Sequence, residues 1–535
     1  MQISRIEIRN FRSFRQFELD LDGESMFVIG ENAGGKTSLL TAVARAFGRD
    51  LNFRAEDFVD RQQTIEIEVT LDQLDAAQAA VFGNYADFSS TPPTLRVATR
   101  VIWDPAAEDA DVEHYYPRVP GSRSKREERE ALSWQWLPAS RDPERMLQFG
   151  VPRNLMGKLV EALPIDQSLE NAVDAVRQAS DDLGQDAELQ RFLQEARADL
   201  ARMLPDVAGD AFRMGIAAAT ARDLLRQFEL VVEHLGEPVA VSTQSSGVAQ
   251  LAIFVFAMKL ATSQPGTVLL VDEPEISLHP QAQRALMRAL RTLDVQMLVA
   301  THSGTLLDRA DPRRVVRLRR TPAGIELASP STLSDDDARK LARFTSPQTA
   351  EAFFARAVIL VEGLSDQIVL EVLAERQGRN IDAEGVSIVP MGGVTAARAF
   401  LQLYGPTGFK LKVAGLCDEN EERHVFGALE HVGLGTNLTR QTMEPLGFFV
   451  CVKDLEEELI RVLGAQTVEQ IIDQNGDLGA FQTFQRQPDQ QPRPLEEQLR
   501  RFIGGRRKVE YAPLLADALE LTNLPAPLVG VLAAV

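Results

Sequence analysis

Gly30-Glu31-Asn32-Ala33-Gly34-Gly35-Lys36-Thr37 is the stretch on which the fold turns. It leaves an apolar run, Met26-Phe27-Val28-Ile29, that reads as a buried strand. It enters Ser38 to Phe47, which reads as a helix stopped by Gly48. The stretch fits G-x-x-x-x-G-K-[ST] in the strand–loop–helix setting that motif requires. Backbone N–H groups of such a loop and the helix N-terminus form a cradle for anions. Gly30, Asn32, Gly35 and Ser38 are expected to line that cradle. Lys36 is expected to reach the β- and γ-phosphates, and Thr37 to hold Mg²⁺ through its hydroxyl. The cofactor this chemistry calls for is ATP with Mg²⁺.

Working outward, two further strands end in groups suited to the same ligand. Val268-Leu269-Leu270-Val271 ends at Asp272-Glu273, and Met297-Leu298-Val299-Ala300 ends at Thr301-His302-Ser303. Open α/β sheets bind ligands at such strand ends. Asp272 is placed to orient the Mg²⁺ shell, Glu273 to activate or position the attacking water, and His302 to touch the γ-phosphate.

Composition bounds the rest. The chain has 535 residues, enough for three or four compact units, with 44% hydrophobic and 25% charged residues. Lys+Arg number 57 against Asp+Glu 77, a formal net charge of -20. That balance excludes a basic, coat-like DNA binder and leaves open a nuclease whose carboxylates hold metal ions. Cys417 and Cys451 cannot make a disulfide framework. Met1 to Ile8 alternates like a strand, without a signal-peptide core. The longest apolar run, Leu251 to Ala261, contains Lys259 and is too short to span a bilayer. The expectation is a soluble, cytoplasmic protein without a membrane partner.

The coarse pattern predicts strands at Ile3–Ile8, Phe17–Leu21 and Thr64–Leu71, and an exposed loop at Ser122–Glu130. Asn154 to Leu204 carries apolar residues at helical spacing and reads as an insert of several helices. A hairpin is expected around Gly236-Glu237-Pro238. The polar stretch Pro322 to Pro347 marks a boundary, and Ala357 to Val361 opens a second α/β alternation.

Gln244-Ser245-Ser246-Gly247-Val248-Ala249-Gln250 and Ser277-Leu278-His279-Pro280 flank the Asp272-Glu273 strand. They resemble a degenerate ABC signature and the loop after the acidic strand in Rad50, SMC and RecF-like ATPases. The resemblance covers roughly 1–110 and 220–320. It implies two chains sandwiching two ATP molecules, with Ser245 and Gly247 contacting the nucleotide held by the other chain, hence a two-fold homodimer. Gln62 and Gln63 are candidates for the metal-touching glutamine.

The last 190 residues or so carry a second set of strand-end acids. Val358-Ile359-Leu360-Val361 ends at Glu362-Gly363, with Asp366 four residues after the Glu. Val386 to Pro390 ends at Met391-Gly392-Gly393, and Lys412 to Leu416 leads to Asp418-Glu419-Asn420-Glu421-Glu422. Clustered carboxylates repel, and hard divalent cations relieve that repulsion. The pattern resembles a TOPRIM domain, with Asn420 replacing the second acid of its Asp-x-Asp motif and Glu421 or Glu422 available to supply the missing charge.

An ABC head with a helical insert and a C-terminal TOPRIM domain is similar to the OLD (overcoming lysogenization defect) nucleases. The resemblance implies metal ligation by Glu362, Asp366, Asp418, Asn420 and Glu422. It also implies a second metal site, Mg²⁺ or Mn²⁺, completed by Asp454 or Glu456, and Lys508 at the scissile phosphate. DNA is the implied substrate, and anti-phage defence, with an accessory defence protein, the implied setting. The basic run Arg500, Arg501, Arg506, Arg507, Lys508 either grips DNA or is a solvated helix end.

The fold class expected is therefore α/β. An ABC/Rad50-like P-loop ATPase occupies 1–150 and 216–345, interrupted by a helical dimerisation insert at 151–215. A TOPRIM, Rossmann-like domain occupies 346–535. A second reading is a RecF/SMC-like DNA-binding ATPase with a non-catalytic TOPRIM-like module. A third, a topoisomerase, would need a nucleophilic tyrosine such as Tyr511, the only tyrosine in the tail.

Overall fold

A computed structural model describes every residue except 49–51, 152–153, 204–219, 235–236, 265, 308–309, 345–346 and 506. The chain opens with β1 (Gln2–Phe11), β2 (Phe14–Asp20) and β3 (Met26–Gly30). β4 (Ile65–Asp72), β5 (Leu95–Asp104), β6 (Asp109–Tyr115) and β7 (Trp134–Leu137) follow. β1, β2, β4, β5 and β6 form an antiparallel sheet in the order β2-β1-β4-β5-β6. Its inner face is set by strict alternation: Ile65, Ile67, Val69 and Leu71 are fully buried, while Glu66 and Glu68 turn outward to Arg100 and Arg96.

The hairpin expected near residue 236 is present as β8 (Val231–His234) and β9 (Glu237–Ala240); Gly236 itself lies outside the described residues. β10 (Val268–Asp272), β11 (Gln296–Ala300), β12 (Val315–Thr321) and β13 (Gly324–Ala328) complete a second sheet, ordered β13-β12-β3-β11-β10-β7. Every pair in it is parallel except β12–β13. All five residues of β3, β10 and β11 are buried, as expected for strands covered on both faces.

One covering helix, Ser246–Ser263, places Ile253, Phe254, Ala257 and Leu260 against this sheet. The helix is longer than the apolar run read from the sequence. By length and composition it could cross a membrane, but its buried side places it in the protein core.

The insert is helical as expected: Leu155–Glu161, Asp166–Gly184 and Ala187–Met203. The remainder of the expected span, 204–215, lies outside the described residues. Two loop expectations change. Within 122–130 a helix forms at Arg126–Glu130. Glu128 accepts from Lys125 N at 2.8 Å and from the Tyr116 hydroxyl at 3.0 Å, which caps it and ties it to the core. Within 322–347, β13 pairs with β12, so the first part of that polar stretch still belongs to the second sheet.

The C-terminal sheet is wholly parallel, ordered β15-β14-β16-β17. Its strands are β14 (Ala357–Val361), β15 (Val386–Pro390), β16 (Lys412–Asp418) and β17 (Phe448–Cys451). Helices on both faces give a doubly wound, Rossmann-like α/β unit. Cys417 and Cys451 are free and buried in it. A helix at Lys508–Ala518 buries Tyr511, Ala512 and Leu515 beside the Leu364–Arg376 helix. Its first residue is thereby brought to the strand-end rim.

Candidate nucleotide site and carboxylate centre

The first site sits where β3, β10 and β11 end. Gly30 lies so close to β12 that a Cβ there would stand 2.4 Å from Leu318 O, so only glycine lets the loop leave the strand. Lys36 opens the helix Lys36–Ala46, and its ammonium folds back to Gly30 O (3.0 Å) and Glu31 O (2.9 Å). Burial lowers its pKa to about 8, against the opposing pull of Glu273, Asp272 and Glu275. Asn32 and Thr37 are exposed and Ser38 half-buried along the loop and first helical turn.

Asp272 is almost wholly buried, and among the described residues neither carboxylate oxygen has a full hydrogen bond, although the Thr37 hydroxyl faces it. Burial pushes its pKa up to about 6. Orphaned carboxylate oxygens beside a hydroxyl are a donor set that suits Mg²⁺.

Glu273 takes a left-handed backbone conformation, φ +45°, which costs a non-glycine residue about 1 kcal/mol or more. Its Oε1 lies 3.9 Å from His302 Nε2. His302 is lowered in pKa by burial and by Lys36, Glu273 opposing.

Two residues that hold this arrangement carried no signal in the sequence. Glu275 accepts from His302 N (2.6 Å) and Thr301 Oγ1 (2.9 Å), fixing the strand end that carries His302. Arg141 donates to both Asp272 O and Glu273 O at 2.8 Å. Ser245 is exposed ahead of its helix, and Gly247 approaches Ser277 O. Gln62 and Gln63 are both exposed in a turn, where Gln62 N and Gln63 Nε2 donate to the Asp60 carboxylate.

The second site gathers at the ends of β14, β16 and β17. Glu362 follows β14, and the Gly392 N–H donates to its carbonyl at 3.1 Å. That bond lashes the left-handed Gly392-Gly393 turn to the acid. Asp366 is buried and accepts from Gly363 N at 2.9 Å. Its pKa rises to about 6, mainly from burial, with Glu362 and Glu456 adding. Asp418 rises to about 8 from burial, then Glu362, Asp366 and Asp454.

Glu421 rises to about 7 from burial and from Glu362, which it faces, and its Oε2 is buried without a hydrogen bond. Glu456 is buried and raised in pKa by burial, with Lys508 Nζ 3.0 Å away opposing. Burial alone would lower Lys508, but Glu456, Asp418 and Asp454 outweigh it and hold it protonated.

Two of the residues expected as ligands are turned away from the cluster. Asn420 is exposed, and Glu422 is bound by Arg440 at 2.8 Å, as is Glu419 at 3.0 Å. The 3₁₀ turn Glu419–Glu421 instead turns Glu421 inward. Asp454 caps the helix Leu455–Leu463 through Glu457 N and pairs with Arg500.

The basic run is largely neutralised. Arg500 and Arg501 bind Glu497, and Arg507 lies over the Phe502 ring and 3.7 Å from Asp477. Arg506 lies outside the described residues. Among the described residues no three His, Cys, Asp or Glu side chains converge as a ready-made metal cage. The cluster of hard oxygens, with the pKa values of Asp366, Asp418, Glu421 and Glu456 raised, still suits cations that draw it together. Tyr511 is fully buried with its hydroxyl on Asp477 at 2.8 Å, which removes it as a nucleophile.

Comparison with known proteins meets both sites. Residues 25–308 match the model of an AAA domain described with the AbiEii toxin and the Type IV TA system. Residues 353–419 match the TOPRIM domain of overcoming-lysogenization-defect-like proteins. The chain is an OLD-family protein.

The OLD-family chain is 25% identical over 425 residues to "OLD nuclease" of Thermus scotoductus, covering 73% of this chain and 77% of the relative. It is 20% identical over 432 residues to "Endonuclease GajA" of Bacillus cereus, covering 74% and 71%. Among solved structures, the C-terminal region of the Xanthomonas campestris pv. campestris OLD protein is 26% identical, covering 34% of this OLD-family chain and 92% of that one, with a TM-score of 0.29.

Proposed function

We propose that this chain is an ATP-binding and ATP-hydrolysing, divalent-metal-dependent DNA endonuclease that works as a homodimer, in anti-phage defence or DNA processing. The observation that carries the reading is the second rim: Glu362, Asp366, Asp418, Glu421 and Glu456 crowd together, and burial and mutual repulsion raise the pKa values of the last four. Such a cluster is unfavourable by itself and becomes favourable around cations. Relatives bearing the names nuclease and endonuclease support the same reading.

Glu362, Asp418 and Glu421 would hold one Mg²⁺ or Mn²⁺. Glu456, with Asp454, would hold another. Bound cations would supply an activated water and stabilise the leaving oxygen of a phosphodiester. Asp366 fixes the Glu362-Gly363 turn. Lys508, kept charged by its acidic neighbours, offers a cation to the scissile phosphate. At the other site Lys36 and Thr37 would hold the nucleotide and its Mg²⁺, with Asp272, Glu273 and His302 serving hydrolysis, and Ser245 and Gly247 closing over the second copy's nucleotide. The helical insert is the natural dimer contact, since Leu183 and Phe192 stand exposed on it.

Supercoiled plasmid incubated with Mg²⁺, Mn²⁺ or EDTA tests this. Cleavage with either metal and none in EDTA is expected. Absence of cleavage with both metals would favour a DNA-binding ATPase with a non-catalytic module, the reading to which the exposed Asn420 lends support.

A further inference from the structure

Arg141 stands four residues beyond β7 and is 6% exposed. Four of the five N–H donors of its guanidinium are committed. Nη1 donates to Pro138 O (2.9 Å) and Asp272 O (2.8 Å), Nη2 to Glu273 O (2.8 Å), and Nε to Gln250 Oε1 (2.6 Å). Gln250 Nε2 donates back to Arg141 O at 3.2 Å, and the guanidinium lies over the Phe254 ring at 5.0 Å. These hydrogen-bond acceptors are all uncharged. A buried cation bonded only to uncharged acceptors, with the carboxylates of Glu275, Asp272 and Glu273 opposing its burial through space alone, is an expensive way to brace a loop.

Its placement explains the arrangement better. On one side Arg141 grips the carbonyls of both acids of the nucleotide site, one of which, Glu273, is held in a left-handed conformation. On the other it grips Gln250, one turn inside the helix Ser246–Ser263. The exposed start of that helix carries Ser245 and Gly247, and its first turn touches Ser277 O, just beyond the acids. A movement of the helix start therefore has a short, buried route to Glu273.

We infer that Arg141 is a positioning residue linking the Ser246–Ser263 helix to the Asp272-Glu273 pair, so that closure of Ser245 and Gly247 over nucleotide on a second copy of the chain sets Glu273 for hydrolysis in this one. The inference rests on the dimeric ATPase reading above. The Arg141 donors are taken up by three backbone carbonyls and the Gln250 amide oxygen, so it should govern turnover and leave nucleotide binding alone. Gln250 should behave as its other half.

The test compares full-length wild type with Arg141→Gln, Arg141→Lys, Gln250→Leu and Gln250→Glu. The readouts are affinity for a fluorescent ATP analogue, kcat and KM for phosphate release, the dependence of specific activity on protein concentration, and melting temperature. Arg141→Gln and Gln250→Leu are expected to bind the analogue like wild type while kcat falls about 10- to 100-fold, the usual penalty for removing a supporting partner. KM should hold, and the rise of specific activity with protein concentration should flatten. Gln250→Glu keeps the acceptor for Nε and is expected to retain most of kcat. Arg141→Lys cannot span all four acceptors and should resemble Arg141→Gln.

If Arg141→Gln fails to fold, Gln250→Leu decides. Wild-type kcat in Gln250→Leu, or equal loss in Gln250→Leu and Gln250→Glu, overturns the link while the ATPase reading stands. No ATP turnover by wild type overturns both.

Discussion

Glu273 is the residue on which the proposed ATP hydrolysis can be tested most closely. Its strained backbone is clamped by Arg141 and its carboxylate looks toward His302. Glu273→Gln should keep nucleotide affinity and lower turnover about 10²- to 10⁴-fold, measured as phosphate release against analogue binding. Wild-type turnover would remove Glu273 from its role. Asp418 makes a pH prediction. Folded, it keeps its proton up to about 8, whereas an unfolded aspartate loses it near pH 4. Between those values the folded chain binds more protons than the unfolded one, so stability falls as pH rises and the loss is complete above about 8. In EDTA the melting temperature should drop more between pH 6 and pH 8 for wild type than for Asp418→Asn, and Mg²⁺ should shrink the drop. Equal drops in both proteins would contradict this.

The same scale shows what the sequence could reveal. Lys36, Asp272, Glu362 and Asp418 stood out because each sits beside a recognisable strand end. Glu421 and Glu422 could not be separated, since one step along a 3₁₀ turn rotates a side chain by about 120°. The choice between them is made by Arg440, distant in sequence. Arg141 and Glu275 act through backbone partners and leave no spacing to read.

Elements were legible in proportion to their length and periodicity. β4 alternates without exception, and β10 and β11 are solid apolar runs, so both kinds were visible. β7 and β17 have four residues each, too few to show a period, yet β7 leads to Arg141 and β17 to Asp454. The β12–β13 hairpin hid in a polar stretch because its edge strand is half-exposed. The helical insert is the element with most left to test. Leu183 is 57% exposed and Phe192 62%. If these side chains form the dimer contact, Leu183→Asp with Phe192→Asp should shift the molar mass in light scattering from dimer toward monomer while each chain still binds ATP. An unchanged dimer would place the contact elsewhere.

At the scale of the whole molecule the two sites share one core. Phe27 and Leu269 of the ATPase sheet and Leu360 and Phe448 of the TOPRIM sheet belong to the same apolar cluster. The join is at 352–355. Arg317 donates to Ala355 O at 2.9 Å, and the His302 ring stacks loosely on Phe354, 6.3 Å between centroids. His302 is thus in touch both with the nucleotide site and with the segment that leads into β14 and Glu362. Phe354→Ala should weaken whatever change ATP makes in cleavage, with metal-dependent cleavage lacking ATP kept near wild type. An undiminished ATP effect would exclude this route. The charge of -20 fits the same picture: part of the acidity lies at two rims where cations would reverse its sign.

In the proposed function the rim holding Glu362 cuts DNA, separately from the rim that holds ATP. The most direct measurement is the initial rate of supercoiled-plasmid cleavage in Mn²⁺ by Glu362→Ala, with its ATP turnover recorded in the same preparation. Cleavage is expected to fall to background while ATP turnover stays within a few-fold of wild type. Cleavage at the wild-type rate would contradict it.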